Sequence, residues 1–392
     1  MAAPKKPRRD EAGRLIQNTT IKVRLYPTEE QAELIDKTFG CCRFLWNRML
    51  AEQEEFYAAA GEHFLPTPAR YKKDFPFLKE VDSGALAAVH QNLRRAFQSF
   101  FSKPETYRHP VFKKKKDNKN SYKVYRSTTG TNLYLTRDGI RLPKLEVVEA
   151  KFHRRPLSGW KLKSATVSKT PTGKYFCALL FEYAVQEPVP VLPEKETTLG
   201  LNYSLSHFYV DSNGQLADPP QWLKRSQAKL AEYQRRLSRM EHGSKNYQQQ
   251  LQRIRLLHER IANQRKDFIH KESRRIANEW DAVCVRDSDL RAMSQKLKLG
   301  NVMDSGFGAF RLCLAYKLER QGKPFIVVDG QIPTAKTCHS CGSVHDWLPS
   351  NQRTWVCPAC GAKLHRAVNA ARNLRDGGLA QFYATREAKA SA

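Results

Sequence analysis

Long apolar runs are missing from this sequence: none approaches the roughly 20 residues that a bilayer-spanning helix needs. An apolar signal core is missing as well, because the N-terminus opens on the charged stretch PKKPRRDEAGR. Together these absences set the expectation of an intracellular protein with no membrane partner. Acidic side chains are scarce, 39 Asp and Glu against 67 Lys and Arg, which leaves a formal net charge of +28. That excess creates a positive field that a polyanion would neutralise on binding. A disulfide framework is also absent. Of the nine cysteines, Cys41, Cys42, Cys177, Cys284 and Cys313 are scattered through apolar surroundings, where a reduced thiol behaves as a small buried hydrophobe.

What is present is too long for one ordinary core. At 392 residues, two to four structural units are expected. Residues 1–20 resemble an import patch but read more readily as a flexible basic arm that touches nucleic acid. Residues 21–27, IKVRLYP, alternate branched and basic side chains as a strand does. From Thr28 the apolar period becomes helical, with Thr28 as N-cap and Glu29 and Glu30 in the first turn. A second helix is expected over 82–101, with Leu86, Val89, Leu93, Phe97 and Phe101 as its stripe. Strand patterns and turn signals at Gly130, Gly139 and Gly173 then return, so 21–190 reads as a small β-barrel with a helical insertion at about 28–108. Lys113, Lys114, Lys115 and Lys116, at the junction, suit a phosphate backbone better than water alone.

Three prolines in 188–195 mark a linker. Beyond it come a strand and a second strand ending at Asn213-Gly214, a hairpin turn signature. A helical hairpin is expected over 222–280, broken at His242-Gly243-Ser244, then a strand at 281–287, a helix over 307–318 and a strand at 324–330. Strands alternating with helices indicate a mixed α/β sheet.

Cys338-His-Ser-Cys341 and Cys357-Pro-Ala-Cys360 are two C-x2-C turns fifteen residues apart. Two such turns complete the tetrahedral sulfur shell that a structural zinc accepts, with metal binding coupled to local folding. His339 and His345 are alternative ligands, though four thiolates already fill the shell. The ribbon is assigned to 335–362.

Several stretches together resemble the TnpB family, the RNA-guided nucleases of insertion sequences and relatives of Type V CRISPR effectors. They are VRLYPTEEQAELIDKTFGCCRFLWNRML at 23–50, LKEVDSGALAAVHQNLRRAFQSFF at 78–101, HERIANQRKDFIHKESRRIA at 258–277, DSGFGAFRLCLAYK at 304–317, AKTCHSCG, RTWVCPACG, and VNAARN at 368–373. The resemblance implies an α/β multidomain chain. An OB-like wedge β-barrel with a helical recognition insertion would be followed by an RNase H-like RuvC domain (195–334, closing at 363–378) with its helical hairpin and inserted zinc ribbon. Residues 379–392 would be a tail.

In such nucleases three acidic residues hold two divalent metal ions that activate water and stabilise the leaving oxygen. The first ends a G-[IV]-D-x-G strand, where this chain reads Gly200-Leu201-Asn202-Tyr203-Ser204. The second is the Glu of V-E-D-L seven residues before a methionine, and here Arg286 takes its place ahead of Met293. The third belongs to D-R-D-x-N-A-A, where Ala367 stands in His365-Arg366-Ala367-Val368-Asn369-Ala370-Ala371. Asp287 or Asp289 could substitute only after a register slip, which turns a strand side chain to the other face. The resemblance therefore implies the nuclease-dead, TnpB-like group of RNA-guided transcriptional repressors: transposon-derived, prokaryotic, cytoplasmic at the nucleoid, and a monomeric ribonucleoprotein with guide RNA and double-stranded target DNA as partners. Structural zinc is expected and catalytic magnesium is not. By position the resemblance makes Ser83 and Arg126-Ser127-Thr128 candidates for reading a flanking DNA motif, although their residue types depart from the family's. The alternatives are a residual metal-dependent endonuclease and a transposon relic that binds only its own transcript.

Overall fold

A computed structural model of the chain describes residues 7–117, 120–204, 207–218, 221–287, 306–330, 332–345 and 352–390. It divides into two compact units, Met1–Gln186 and Glu187–Ala392. Among the described residues no helix is long and apolar enough to cross a membrane.

The first unit begins with β1 (Leu15–Tyr26), whose inward residues Ile21, Val23 and Leu25 are buried. The strand starts earlier than the sequence indicated: Leu15 already pairs with Val185. The basic arm is correspondingly shorter, and Asp10 and Arg14 close a turn at its end through an ion pair. Helix α1 (Glu29–Ala60) starts as expected, on a capping box in which Thr28 accepts from Gln31 and the Gln31 side chain returns to the Thr28 amide. It ends at Gly61, whose φ of 69° is the left-handed stop that favours glycine. Helix α2 (Pro68–Asp74) is short, and α3 (Ser83–Ser102) is capped by Asp82. Leu86, Val89, Leu93 and Phe97 are buried along the expected stripe of α3, whereas Phe101 is half exposed.

Six further strands follow: β2 (Asn120–Tyr125), β3 (Tyr134–Leu135), β4 (Gly139–Leu142), β5 (Glu146–Lys151), β6 (Lys161–Lys169) and β7 (Tyr175–Val185). They join β1 in one antiparallel sheet of order β2-β6-β7-β1-β5-β4-β3. Among the described residues this ladder has two ends, at β2 and β3, so the expected barrel is seen as a seven-stranded sheet. Helices α1 and α3 supply Leu45, Met49 and Leu86 to the core that the sheet completes with Val124, Cys177 and Leu179. Burial pushes the Cys42 and Cys177 thiols up to about 12, the behaviour of core cysteines.

In the second unit β8 (Thr198–Tyr203), β9 (Tyr209–Asp211) and β10 (Leu216–Ala217) form a meander, with Asn213-Gly214 turning between the last two at a Gly214 φ of 89°. Helices α4 (Gln221–Leu237) and α5 (Lys245–Glu279) are the expected hairpin, broken at Gly243 and restarted by the Ser244 cap. Then come β11 (Ala282–Arg286), α6 (Phe307–Glu319), β12 (Phe325–Val328), β13 (Thr354–Val356), β14 (Lys363–His365) and α7 (Arg366–Ala390). The sheet order is β10-β9-β8-β11-β12, with β8, β11 and β12 parallel. One face carries Leu199, Leu201, Val283 and Val285 against α5 and α6, and the other carries Ala282, Cys284, Ile326 and Val328 against α7.

Two boundaries in the second unit also differ from the sequence reading. Strand β14 pairs with β13, which extends the cysteine-bearing module to His365 rather than 362. Residues 379–390, expected as a tail, continue α7, and Phe382 packs on the sheet there.

Candidate functional site

Alternation along β8 puts Leu199 and Leu201 on the α5/α6 face and Gly200 and Asn202 on the face covered by α7. Gly200 marks the closest approach of the two: a Cβ there would lie 1.9 Å from the Ala371 carbonyl oxygen of α7. Ala367 lies four residues earlier, one turn towards the start of α7 on the same helix face. Parallel β11 pairs Val285 with Leu201, so Arg286 follows in register with Asn202, on the face that Cys284 shares with α7. Asn202 and Arg286 thus stand side by side at the carboxyl ends of two parallel strands, where open α/β sheets commonly place their ligands, with Ala367 one helical turn before the point at which α7 meets Gly200. All three are partly exposed.

The chemistry offered there does not suit a divalent cation. Asn202 offers a neutral amide, Ala367 has no ligand atom, and Arg286 brings a fixed positive charge. The Arg286 guanidinium is held by the Gly330 carbonyl and by the Thr334 hydroxyl at 3.3 Å. It is therefore pinned to the segment after β12, a partnership that sequence order does not reveal. Asp287 lies one residue on, where strand alternation turns it to the α6 side. Its charge acts there on Arg311, a guanidinium whose pKa burial lowers and Asp287 partly restores. Asp289 and Met293 fall outside the described residues.

The four cysteines come together as expected. Their ligand atoms all lie within 4.8 Å of one another, and the Cys338–Cys360 and Cys341–Cys357 sulfurs are each 3.7 Å apart. Four sulfurs each 2.3 Å from a central ion would be about 3.8 Å apart, so the cluster has the dimensions of a tetrahedral zinc shell, and a disulfide is excluded by the separation. The two turns are built alike. Gly342 and Gly361 have φ of 78° and 72°, and their amides donate to Cys338 and Cys357 carbonyls, both at 2.8 Å. Hydrogen bonding at Ser343 draws the Cys341 thiol down to about 6. His345 sits with Nε2 3.3 Å from the Cys357 sulfur and against the Trp355 ring, beside the shell, with the four sulfurs left to complete it. His339 turns away to Asp376 at 2.9 Å. Asn369 of α7 accepts from the His339 amide and donates to the Thr337 carbonyl, so the module is fastened to α7 just beyond Ala367.

The lysine run of the first unit is not uniform. Lys113 exchanges both backbone groups with Asn47, and its ammonium rests 3.6 Å above the Trp46 ring. Partial desolvation holds its pKa below the usual lysine range, while the residue as a whole is exposed and lines the same cleft as Lys114. Lys114 borders a cleft of about 420 Å³ with Arg43, Asn92 and Lys123, residues that the sequence reading missed because they are separated by up to 80 positions and carry no common motif. Lys115 and Lys116 lie on an exposed single turn. Ser83 is exposed at the first position of α3, while Arg126 follows β2, next to the Tyr125 that receives Arg95 of α3 at 3.2 Å. Twelve residues of helix, about 18 Å, separate Ser83 from Arg95, so the structure places the two sets of candidates apart. Ser127 and Thr128 belong to the turn that closes on Gly130, where the Ser127 amide is held by Asn132.

Comparison with known proteins covers most of the chain. Family models match residues 17–62 (helix-turn-helix domain of OrfB_IS605), 180–297 (OrfB_IS605, described as "Probable transposase") and 307–374 (Cas12f1-like TNB domain). The first of these segments is here a strand followed by one uninterrupted helix. A Streptomyces pristinaespiralis protein named "Putative RNA-guided DNA endonuclease" is 32% identical over 370 residues, covering 92% of this chain and 89% of that protein. The Escherichia coli protein "Putative RNA-guided DNA endonuclease InsQ" is 28% identical, covering 91% of each. In fold, the chain is similar to the protein of the Cas12f1-sgRNA-target DNA complex, with a TM-score of 0.55 at 12% identity, covering 92% of this chain and 99% of that one. The extent of the match to the Streptomyces protein, together with the family segments, places this chain in the TnpB family.

Proposed function

We propose that this chain is an RNA-guided DNA-binding protein that does not cut its target and represses transcription by occupying promoter DNA. What supports the proposal is the side-chain chemistry at three positions: Asn202 in register beside Arg286 at the strand ends, and Ala367 at the start of α7, none of which offers a carboxylate. A two-metal mechanism needs several anionic oxygens around both ions, and a guanidinium in their place opposes metal entry. Guided recognition needs none of them. Base pairing between RNA and one DNA strand supplies the sequence information, and the protein holds the backbone and reads a short flanking motif.

In this reading the first unit is the wedge, an OB-like barrel with the α1–α3 insertion, and Ser83 and Arg126-Ser127-Thr128 face the flanking duplex. The second unit is a RuvC-like domain. Cys338, Cys341, Cys357 and Cys360 hold one structural zinc, which fixes the ribbon and takes no part in catalysis. The particle is a monomeric ribonucleoprotein acting in the cytoplasm at the nucleoid.

The test begins by sequencing the RNA that co-purifies with the protein, because that RNA names the target. The loaded protein is then incubated with matched duplex in magnesium or manganese. Binding without cleavage is expected, and restoring any single carboxylate, as in Asn202→Asp, should leave the DNA uncut. Cutting by the wild type that a chelator abolishes would replace this reading with that of a residual nuclease.

A further inference from the structure

The hairpin of the second unit carries a groove of about 490 Å³ between α4 and α5. Its rims are cationic on both sides, Arg225 and Lys229 from α4 and Arg253 and Arg260 from α5, and among the described residues no carboxylate lines it. All four are exposed, and among the described residues no ion pair engages them. Their spacing is regular: four residues on α4 and seven on α5 correspond to about 6 and about 10 Å along the axes. Between the rims the floor is apolar, with Leu257 buried and Leu256 45% exposed. Tyr233 closes the floor, its ring 5.5 Å from the Lys229 ammonium. Like charges four apart on one helix face repel each other and weaken the hairpin. An anionic ligand running along the groove would remove that cost.

We infer that this groove holds a single-stranded phosphodiester backbone lengthwise, the cations of both rims meeting its phosphates while sugars or unpaired bases rest on Leu256 and Tyr233. The inference rests on the nucleic-acid reading proposed above and deepens it by naming a second contact surface. A partner helix would have no use for four uncompensated cations. A duplex, far wider than the space between two packed helices, would touch only the outer rims. An acidic peptide shares the charge but not the recurrent apolar face of a nucleotide.

The experiment uses full-length protein and three fluorescent probes of one mixed sequence: a 25-nucleotide RNA, the matching single-stranded DNA, and the duplex DNA. A polyglutamate peptide is the fourth. Anisotropy is measured across a salt series for the wild type, for Arg253→Gln with Arg260→Gln, for Leu256→Ser, and for a control pair on α5 outside the groove, Lys266→Gln with Arg274→Gln. The groove pair should weaken single-strand binding and flatten the logarithmic salt slope by about 0.7 for each phosphate that is no longer neutralised. Leu256→Ser should weaken binding with the slope unchanged, and the control pair should do neither. Thermal unfolding should show the groove pair no less stable than the wild type, as expected of a site that is not structural. A larger effect on the RNA than on the single-stranded DNA, or the reverse, assigns the source of the strand. Losses confined to duplex or peptide, or equal losses in the control pair, overturn the inference. Wild-type protein that binds no nucleic-acid probe refutes the nucleic-acid reading itself, and that result is distinct from intact binding by the groove variants.

Discussion

At Gly200 a single hydrogen atom decides how closely α7 can lie on β8. A methyl group there would meet the Ala371 carbonyl oxygen at 1.9 Å, and both atoms belong to backbone, so no side chain can move aside. Gly200→Ala should therefore cost at least about 3 kcal/mol, at the upper end for overpacking, and lower the melting temperature by roughly 6 °C or more. A melting temperature unchanged within error would show that α7 lifts freely. Cys357→Ser tests the other residue-scale feature. It should release the bound metal, counted by elemental analysis, and open the ribbon to hydrogen exchange while the first unit keeps its protection. Freshly purified wild-type protein containing no zinc would refute the assignment.

Elements in the second unit are fastened by polar groups as well as by apolar packing. Lys317 of α6 is buried and donates to the His270 carbonyl and the Ser273 hydroxyl of α5, each at 2.7 Å. Burial lowers its pKa from the ordinary lysine value of 10.5. The unfolded chain therefore binds the proton more tightly, and stability should rise with pH through the alkaline window between the lowered value and 10.5, with no contribution to the slope near neutrality. Lys317→Met should abolish that alkaline rise and leave neutral-pH stability unchanged or higher, since an apolar group of similar length replaces a buried charge held only by neutral acceptors. Marked destabilisation at pH 7 would mean that the two hydrogen bonds outweigh desolvation. The ribbon is latched differently. Burial raises the Asp376 pKa, but hydrogen bonds from Arg375, His339 and Lys195 outweigh it and hold the carboxyl below the usual range. Asp376→Asn should weaken the His339 latch and speed exchange around Cys338, without metal loss.

For the whole molecule the charge of +28 sets the range of conditions under which selectivity can be measured. Many phosphate contacts make affinity fall steeply with salt. Protein stripped of RNA should keep weak, salt-sensitive DNA binding and lose preference for the target. Equal selectivity with and without RNA, compared at one ionic strength, would contradict guided recognition.

Local chemistry was enough to locate what depends on neighbours in sequence. Thr28 and Gln31 cap α1, Gly243 and Ser244 break the hairpin, and each C-x2-C turn is followed by its own left-handed glycine, all within a few residues. The family motifs also identified Asn202, Arg286 and Ala367. What sequence order could not state was that β8 and β11 run side by side in register, that α7 closes on Gly200, and that Arg286 is tied to Gly330 and Thr334 more than forty residues away. The start of β1 at Leu15 was hidden for the same reason: LIQNTT has no convincing alternation, and pairing with β7 makes it a strand. The helical tail was hidden because one apolar contact, Phe382 on the sheet, is visible only in the folded chain. The seat of the Lys113 ammonium on Trp46 was hidden too, because charge is a property of the sequence, whereas desolvation is a property of packing. Sequence determined which groups were available for chemistry. Tertiary structure decided which of them meet, because pairing and burial join residues that lie far apart in the chain.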